Sequence, residues 1–139
     1  MVDEGIIQIR QLKTFNMDHH SFNDWLQLYS KAWTQRRPEL INDLFTQDAK
    51  YFEKPFSAPF EGIDAIIRYW QGISESQKDI SFEYKIISVN NEVGIAHFVA
   101  SFLRSPGDVH VKLDGIFQVT LSSQNKCTSF SEWWQSQKN

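Results

Sequence analysis

One cysteine, Cys127, occurs in 139 residues. It excludes an internal disulfide and a thiolate metal cluster, and it fits a reducing compartment as a buried strand residue. Basic residues are equally sparse: 14 Lys and Arg stand against 17 Asp and Glu, for a formal net charge of -3. Without a basic field to hold phosphate backbones, nucleic acid is not expected as a partner. No stretch approaches the roughly 18 apolar residues of a membrane span. The amino terminus carries Asp3 and Glu4 where a signal peptide has lysines and an apolar run. The expectation is a cytoplasmic protein with no membrane partner. Rings are what the chain has in quantity: 14% of residues are aromatic, with five tryptophans. So many large side chains in one small domain predict a core with room for a lined cavity.

Residues 1–16 show weak periodicity and read as an amino-terminal extension, and residues 17–139 as a single domain. In "SFNDWLQLYSKAWTQR", Phe22, Trp25, Leu26, Tyr29, Ala32 and Trp33 form one helical stripe, with Ser21 and Asp24 spaced as a capping box. Pro38 suits the first turn of a short second helix, "PELINDLF". "AKYFEKPF" reads as a short strand stopped by Pro55, and "GIDAIIRYWQGI" as a third helix with Ile63, Ile66, Ile67 and Trp70 inward. From Asp79 the period shortens to two. "DISFEYKIISV", "EVGIAHFVASFLR", "VHVKLDGIFQVTL" and "KCTSFSEWW" are separated by "NN", "SPGD" and "SSQN", which predicts an antiparallel meander. Helices followed by a sheet that bends round them make an α+β domain, with the natural pocket where stripe and sheet meet.

This element order, with "LFTQDAKYFEKPFSAPFEGIDAI" and "LDGIFQV…SFSEWW", resembles the nuclear transport factor 2-like superfamily over roughly residues 20–135. That group includes ketosteroid isomerases and SnoaL-like polyketide cyclases. The resemblance implies a cone-shaped barrel: a strongly curved, mainly antiparallel sheet wrapped round three amino-terminal helices and enclosing a deep pocket. Counted without a gap from "LFTQDA", the catalytic tyrosine of the ketosteroid isomerases falls on Tyr29 and their general base on Glu53, and "LDG" brings their protonated aspartate to Asp114. The base is Glu where that family has Asp, which lengthens the arm by one methylene. The implied chemistry is cofactor-free: Glu53 moves a proton beside a carbonyl while Tyr29 and neutral Asp114 hold the enolate oxygen.

Asp114 poses a problem of parity. Strict alternation puts His110, Lys112, Asp114, Ile116 and Gln118 on one face and Phe117, Val119 and Leu121 on the other. A β-bulge at Gly115 would turn Asp114 toward the aromatic side, and that reading is favoured over a flat, solvated Asp114 beside Lys112 and His110. His97 shares the parity of Asp114 across the "SPGD" hairpin, so the two form a candidate base dyad, although a lone strand histidine is more often structural. Trp25, Trp33, Phe56, Trp70, Phe117, Trp133 and Trp134 are the candidate ligand-contacting rings, and alternation admits only one of Trp133 and Trp134 to the interior.

Three readings result. The leading one is an acid–base enzyme of isomerase, cyclase or dehydratase type acting on a hydrophobic carbonyl compound. The second is a non-catalytic binder of a hydrophobic ligand. The third is an interaction domain, a homodimer through an outer sheet face carrying Val109, Val111 and Leu113.

Overall fold

The computed structural model describes residues 16–139, so the expected extension, apart from Asn16, lies outside the described residues. Helix α1 (His19–Thr34) opens one turn earlier than its apolar stripe suggests. Its cap is Asp18, whose carboxylate accepts from the Ser21 amide at 2.7 Å, while the Asp18 amide donates to Ser21 Oγ at 3.1 Å. The capping box is real but shifted, and it places His19 and His20 in the exposed first turn. The second helix is shorter than expected: a 3-10 turn at Pro38–Leu40 and one α turn, α2 (Ile41–Leu44). Phe45 already begins strand β1 (Phe45–Phe52), where its ring can enter the core. The two-residue strand β2 (Phe60–Glu61) precedes α3 (Ile63–Ser76).

Four long strands follow: β3 (Gln77–Asn90), β4 (Val93–Arg104), β5 (Val109–Leu121) and β6 (Cys127–Lys138). They form one six-stranded sheet in the order β2-β1-β6-β5-β4-β3. All pairs are antiparallel except β1 with β6, which run parallel. This is the expected α+β cone: an open, strongly curved sheet with three helices against its concave face.

Alternation is strict along β5. Val111, Gly115, Phe117, Val119 and Leu121 are buried, and Lys112, Asp114 and Gln118 are exposed. The β4–β5 register runs without a shift from Val93↔Thr120 to Arg104↔Val109. The bulge expected at Gly115 is therefore absent, and Asp114 stays on the convex face. Register shifts fall elsewhere: in β3 between Lys78 and Ser81, where Asp79 has φ 52°, and between Ile86 and Ser88, at Thr120/Leu121 in the β5–β6 pairing, and between Phe45 and Lys50 in the β1–β6 pairing. Gly115 answers a different demand. A Cβ there would meet the Trp133 carbonyl oxygen at 2.2 Å and Phe98 Cε1 at 2.9 Å. The glycine lets Phe98, Gly115 and Trp134, consecutive across three strands, close up on the inner face. The same parity corrects the outer face: Val111 is fully buried and Leu113 half-buried inside, while the exposed apolar strand residues include Ile87, Val99 and Trp133, with Val109 at the edge.

The core is a cluster of rings centred on Tyr29, which is 1% exposed. Its ring lies 5.3 Å from Trp25, 5.2 Å from Phe117, 5.6 Å from Phe130 and 5.3 Å from Trp70. Each large ring removes some 150–250 Å² from water, which makes this cluster the main apolar contribution to stability. Trp25 also donates its indole N–H to the Leu44 carbonyl at 2.9 Å, tying α1 to the end of α2. The buried Trp70 indole N–H has no partner among the described residues.

Candidate active site

The parallel pairing of the first and last long segments builds the site. Register matches Tyr51 with Phe130 and Phe52 with Ser131, so the next residues, Glu53 and Glu132, come side by side at the end of the ladder. On β6 the inward residues are Phe130, Glu132 and Trp134. On β1 they are Ala49 and Tyr51, continued by half-buried Glu53 in the bend that follows. Tyr29 and Trp33 complete the enclosure from α1. The cavity they form measures about 90 Å³, with Gln77, Phe98, Phe102, Arg104 and Leu113 on its remaining walls. Glu53, Glu132 and Trp134 are shared with an outer groove of about 360 Å³ that also touches Lys54, Phe56 and Trp133.

Among the described residues, Glu132 is the one carboxylic acid in the buried core, at 8% exposure. Burial, reinforced by the negative charge of Glu53, pushes its carboxyl up to about 8, against the opposing influence of hydrogen bonding from Trp134 and Tyr51. At neutral pH the carboxyl is therefore mostly protonated and able to donate. Beyond it, the Tyr29 and Tyr51 hydroxyls lie 3.5 Å apart. Burial first, and the Glu132 charge next, hold both phenols well above their ordinary range, so they too are donors. Tyr69 on α3 is raised by burial first and by the charges of Glu132 and Glu53 next. A neutral carboxyl, a phenol pair and a second carboxyl at the mouth make an arrangement fit to donate to an oxygen on one side and exchange a proton on the other. Among the described residues, no group of three or more His, Cys, Asp or Glu could hold a metal ion.

The residues expected from sequence divide into three sets. Tyr29, Glu53, Trp33 and Trp134 meet in this cavity. Trp25, Trp70 and Phe117 pack behind Tyr29 as core, and Phe56 and Trp133 flank the outer groove, with Phe56 wholly exposed. Asp114 and His97 are elsewhere: His97 Nε2 and Asp114 Oδ1 pair at 2.7 Å on the convex face of the sheet, with side chains 43% and 68% exposed. Their shared parity is as expected, but without a bulge it carries both away from the interior. A wider hollow of about 460 Å³ lies beside Asp114, lined by Glu83, Val99 and Lys112; every ionisable side chain in it is exposed, so it lacks the desolvation that tunes chemistry. Glu132, Tyr51 and Arg104 were missed. The signal for Glu132 was present in "FSEWW", where an acid stands at period two between Phe130 and Trp134.

Residues 25–130 match the family model described as SnoaL-like domain. Among curated proteins, none matches the sequence. Solved structures are similar across most of the chain. The epoxide hydrolase/cyclase-like enzyme SalBIII of pyran ring formation in polyether salinomycin has a TM-score of 0.73 at 18% identity, covering 85% of this chain and 93% of that one. The hexachlorocyclohexane dehydrochlorinase LinA Type2 has a TM-score of 0.71 at 8% identity, covering 86% and 87%. An NTF2-like protein from an Exiguobacterium species has a TM-score of 0.66 at 16% identity, covering 83% and 98%. At these identities the likeness is one of fold.

Proposed function

Because the chain belongs to the SnoaL-like domain family, we propose that its interior cavity is the active site of an enzyme that moves protons on a compact carbonyl compound. The observation that carries the reading is the buried Glu132 carboxyl beside Glu53 in an aromatic-walled cavity. Glu53, at the mouth, removes a proton from the carbon beside the carbonyl. Neutral Glu132 donates to the carbonyl oxygen as negative charge develops there, and the Tyr51–Tyr29 hydroxyl pair supports it from behind. Returning the proton to a different carbon gives isomerisation; expelling a β-substituent from the enolate gives dehydration; attack of the enolate on a second electrophile within the same molecule gives cyclisation. Glu132 thus takes the role that the family resemblance assigned to Asp114. The reading needs no metal or organic cofactor, since side chains supply both proton-transfer groups. A volume of about 90 Å³ is below the roughly 150 Å³ that accommodates benzene in an engineered core, so a larger substrate must extend past Trp134 into the outer groove.

The test is deuterium uptake at the α-carbons of cyclopentanone in D₂O, followed by proton NMR. Wild type is expected to accelerate exchange, and Glu53→Gln and Glu132→Gln each to reduce it by about 10²-fold or more while remaining folded. Exchange at the uncatalysed rate, or unaffected by both substitutions, would overturn the reading. The homodimer belongs to the same proposal: exposed Val99 and Trp133 on the convex face give a second copy apolar surface to cover. Light scattering coupled to size exclusion, with Trp133→Ser as the dissociating variant, tests that part.

A further inference from the structure

The cavity has a cationic wall that the proton-transfer chemistry leaves unused. Arg104 ends β4 with its guanidinium carbon 5.6 Å above the Phe102 ring, on the inner face of the sheet. It is half-buried and lines the same cavity as Glu53 and Glu132. Yet no carboxylate lies within 4.0 Å of it among the described residues, where Lys78–Asp108 and Arg37–Glu39 are formed pairs. Register explains the separation. Glu132 stands opposite Phe117 and Phe117 opposite Ala96, so Arg104 is eight residues further along β4 than the row that holds Glu132. The acids occupy one pole of the cavity and the guanidinium the other, with rings between them.

Gln77 strengthens that pole. It is the β3 partner of Arg104, and its Oε1 accepts the Trp33 indole N–H at 2.8 Å. With the oxygen so engaged, the side-chain amide N–H₂ is left to donate beside the guanidinium. Arg36 adds positive charge at the rim, donating to the Gln77 backbone carbonyl at 3.3 Å. A half-buried guanidinium without a carboxylate, joined by a fixed amide donor, presents planar N–H groups matched to a carboxylate.

We infer that Arg104, with Gln77, anchors a carboxylate, so that the substrate is an oxo acid. This rests on the reading that the cavity takes a carbonyl substrate, and it adds the second functional group that the substrate must carry.

Calorimetric titration with 4-oxopentanoate and with its neutral isostere 4-oxopentanamide separates the two ideas. Wild type is expected to bind the acid about tenfold or more tightly than the amide, in line with a charge-assisted hydrogen bond. Arg104→Gln should erase that preference, so that the acid and the amide bind with equal affinity. Arg104→Lys should restore only part of it, because an ammonium cannot bind bidentately. If wild type binds both ligands equally, the anchor is refuted and the carbonyl pocket stands. If the acid preference survives in folded Arg104→Gln, the carboxylate is held elsewhere and the inference is again refuted. If neither ligand binds at millimolar concentration, the anchor and the carbonyl reading fall together.

Discussion

Replacing Glu132 by Gln should make the protein more stable, increasingly so as pH rises. Burial first, and the neighbouring Glu53 charge next, push the native carboxyl from the ordinary 4.5 up to about 8. An acid whose folded pKa is raised keeps more protons in the native state than in the unfolded state between those values. Stability from this group is therefore intact below pH 4.5 and is lost progressively as pH climbs to 8. The slope approaches 1.4 kcal/mol per pH unit, and the whole span amounts to roughly 5 kcal/mol as an order of magnitude. Gln is nearly isosteric, keeps a donor and an acceptor, and does not titrate. Urea unfolding of both proteins at pH 5, 6, 7 and 8 should show Glu132→Gln gaining on wild type at each step, with most of the advantage present by pH 8. Other carboxylates contribute almost equally to both proteins and cancel in the difference. A stability difference independent of pH across this range would refute the raised carboxyl, and with it the neutral donor on which the mechanism depends.

Other outcomes follow from packing and parity. Gly115→Ala should destabilise by several kcal/mol, or prevent soluble expression, because the added methyl would meet the Trp133 carbonyl at 2.2 Å; a near-neutral effect in thermal melts would mean that β5 and β6 are less tightly apposed. Asp114→Asn should alter stability by no more than about 1 kcal/mol and leave ligand affinity unchanged, since its partner His97 is also exposed on the outer face; a loss of affinity in calorimetry would return Asp114 to the site. Trp25→Phe should cost about 1–3 kcal/mol more than Trp70→Phe in urea unfolding, because it alone orphans a carbonyl, that of Leu44, while Trp70 brings a buried N–H with no partner. Equal costs would show that the Trp25 bond contributes nothing beyond ring burial.

The architecture was legible because it rests on periodicity. The helical stripe through Trp25, Tyr29 and Trp33 and the alternation in the four long strands both survive in the structure, as does the rule that only one of Trp133 and Trp134 turns inward, which proves to be Trp134. Boundaries slipped where local chemistry competed: Asp18 accepts the Ser21 amide more directly than Ser21 could cap a later turn, and Phe45 gains more as an inward strand residue than as a helix terminus. The site was half legible. Tyr29 and Glu53 follow from the family alignment, but Asp114 required a bulge at Gly115, and that glycine serves a close approach of strands instead. Glu132 and Arg104 escaped because their importance lies in what surrounds them. An acid between Ser131 and Trp133 looks like an ordinary exposed strand charge until the parallel β1–β6 pairing sets it against Glu53.

That parallel pairing also makes the cavity a property of the whole chain. Tyr51 and Phe130 are neighbours across the sheet though they are far apart in sequence, and the two glutamates are contributed by segments that no local turn can join. During synthesis the amino-terminal half can form its helices and β1, and the hairpins of the meander can close, while the cavity still has no floor. Contacts of such long sequence separation are among the slower to form. A chain cut in the turn after Ser122 would divide the carboxyl pair between two pieces, Glu53 on one and Glu132 on the other, and neither could dock a substrate alone. Mixing the pieces would then turn cavity formation into an event with a measurable onset, reported by Trp134 as the last strand takes its place.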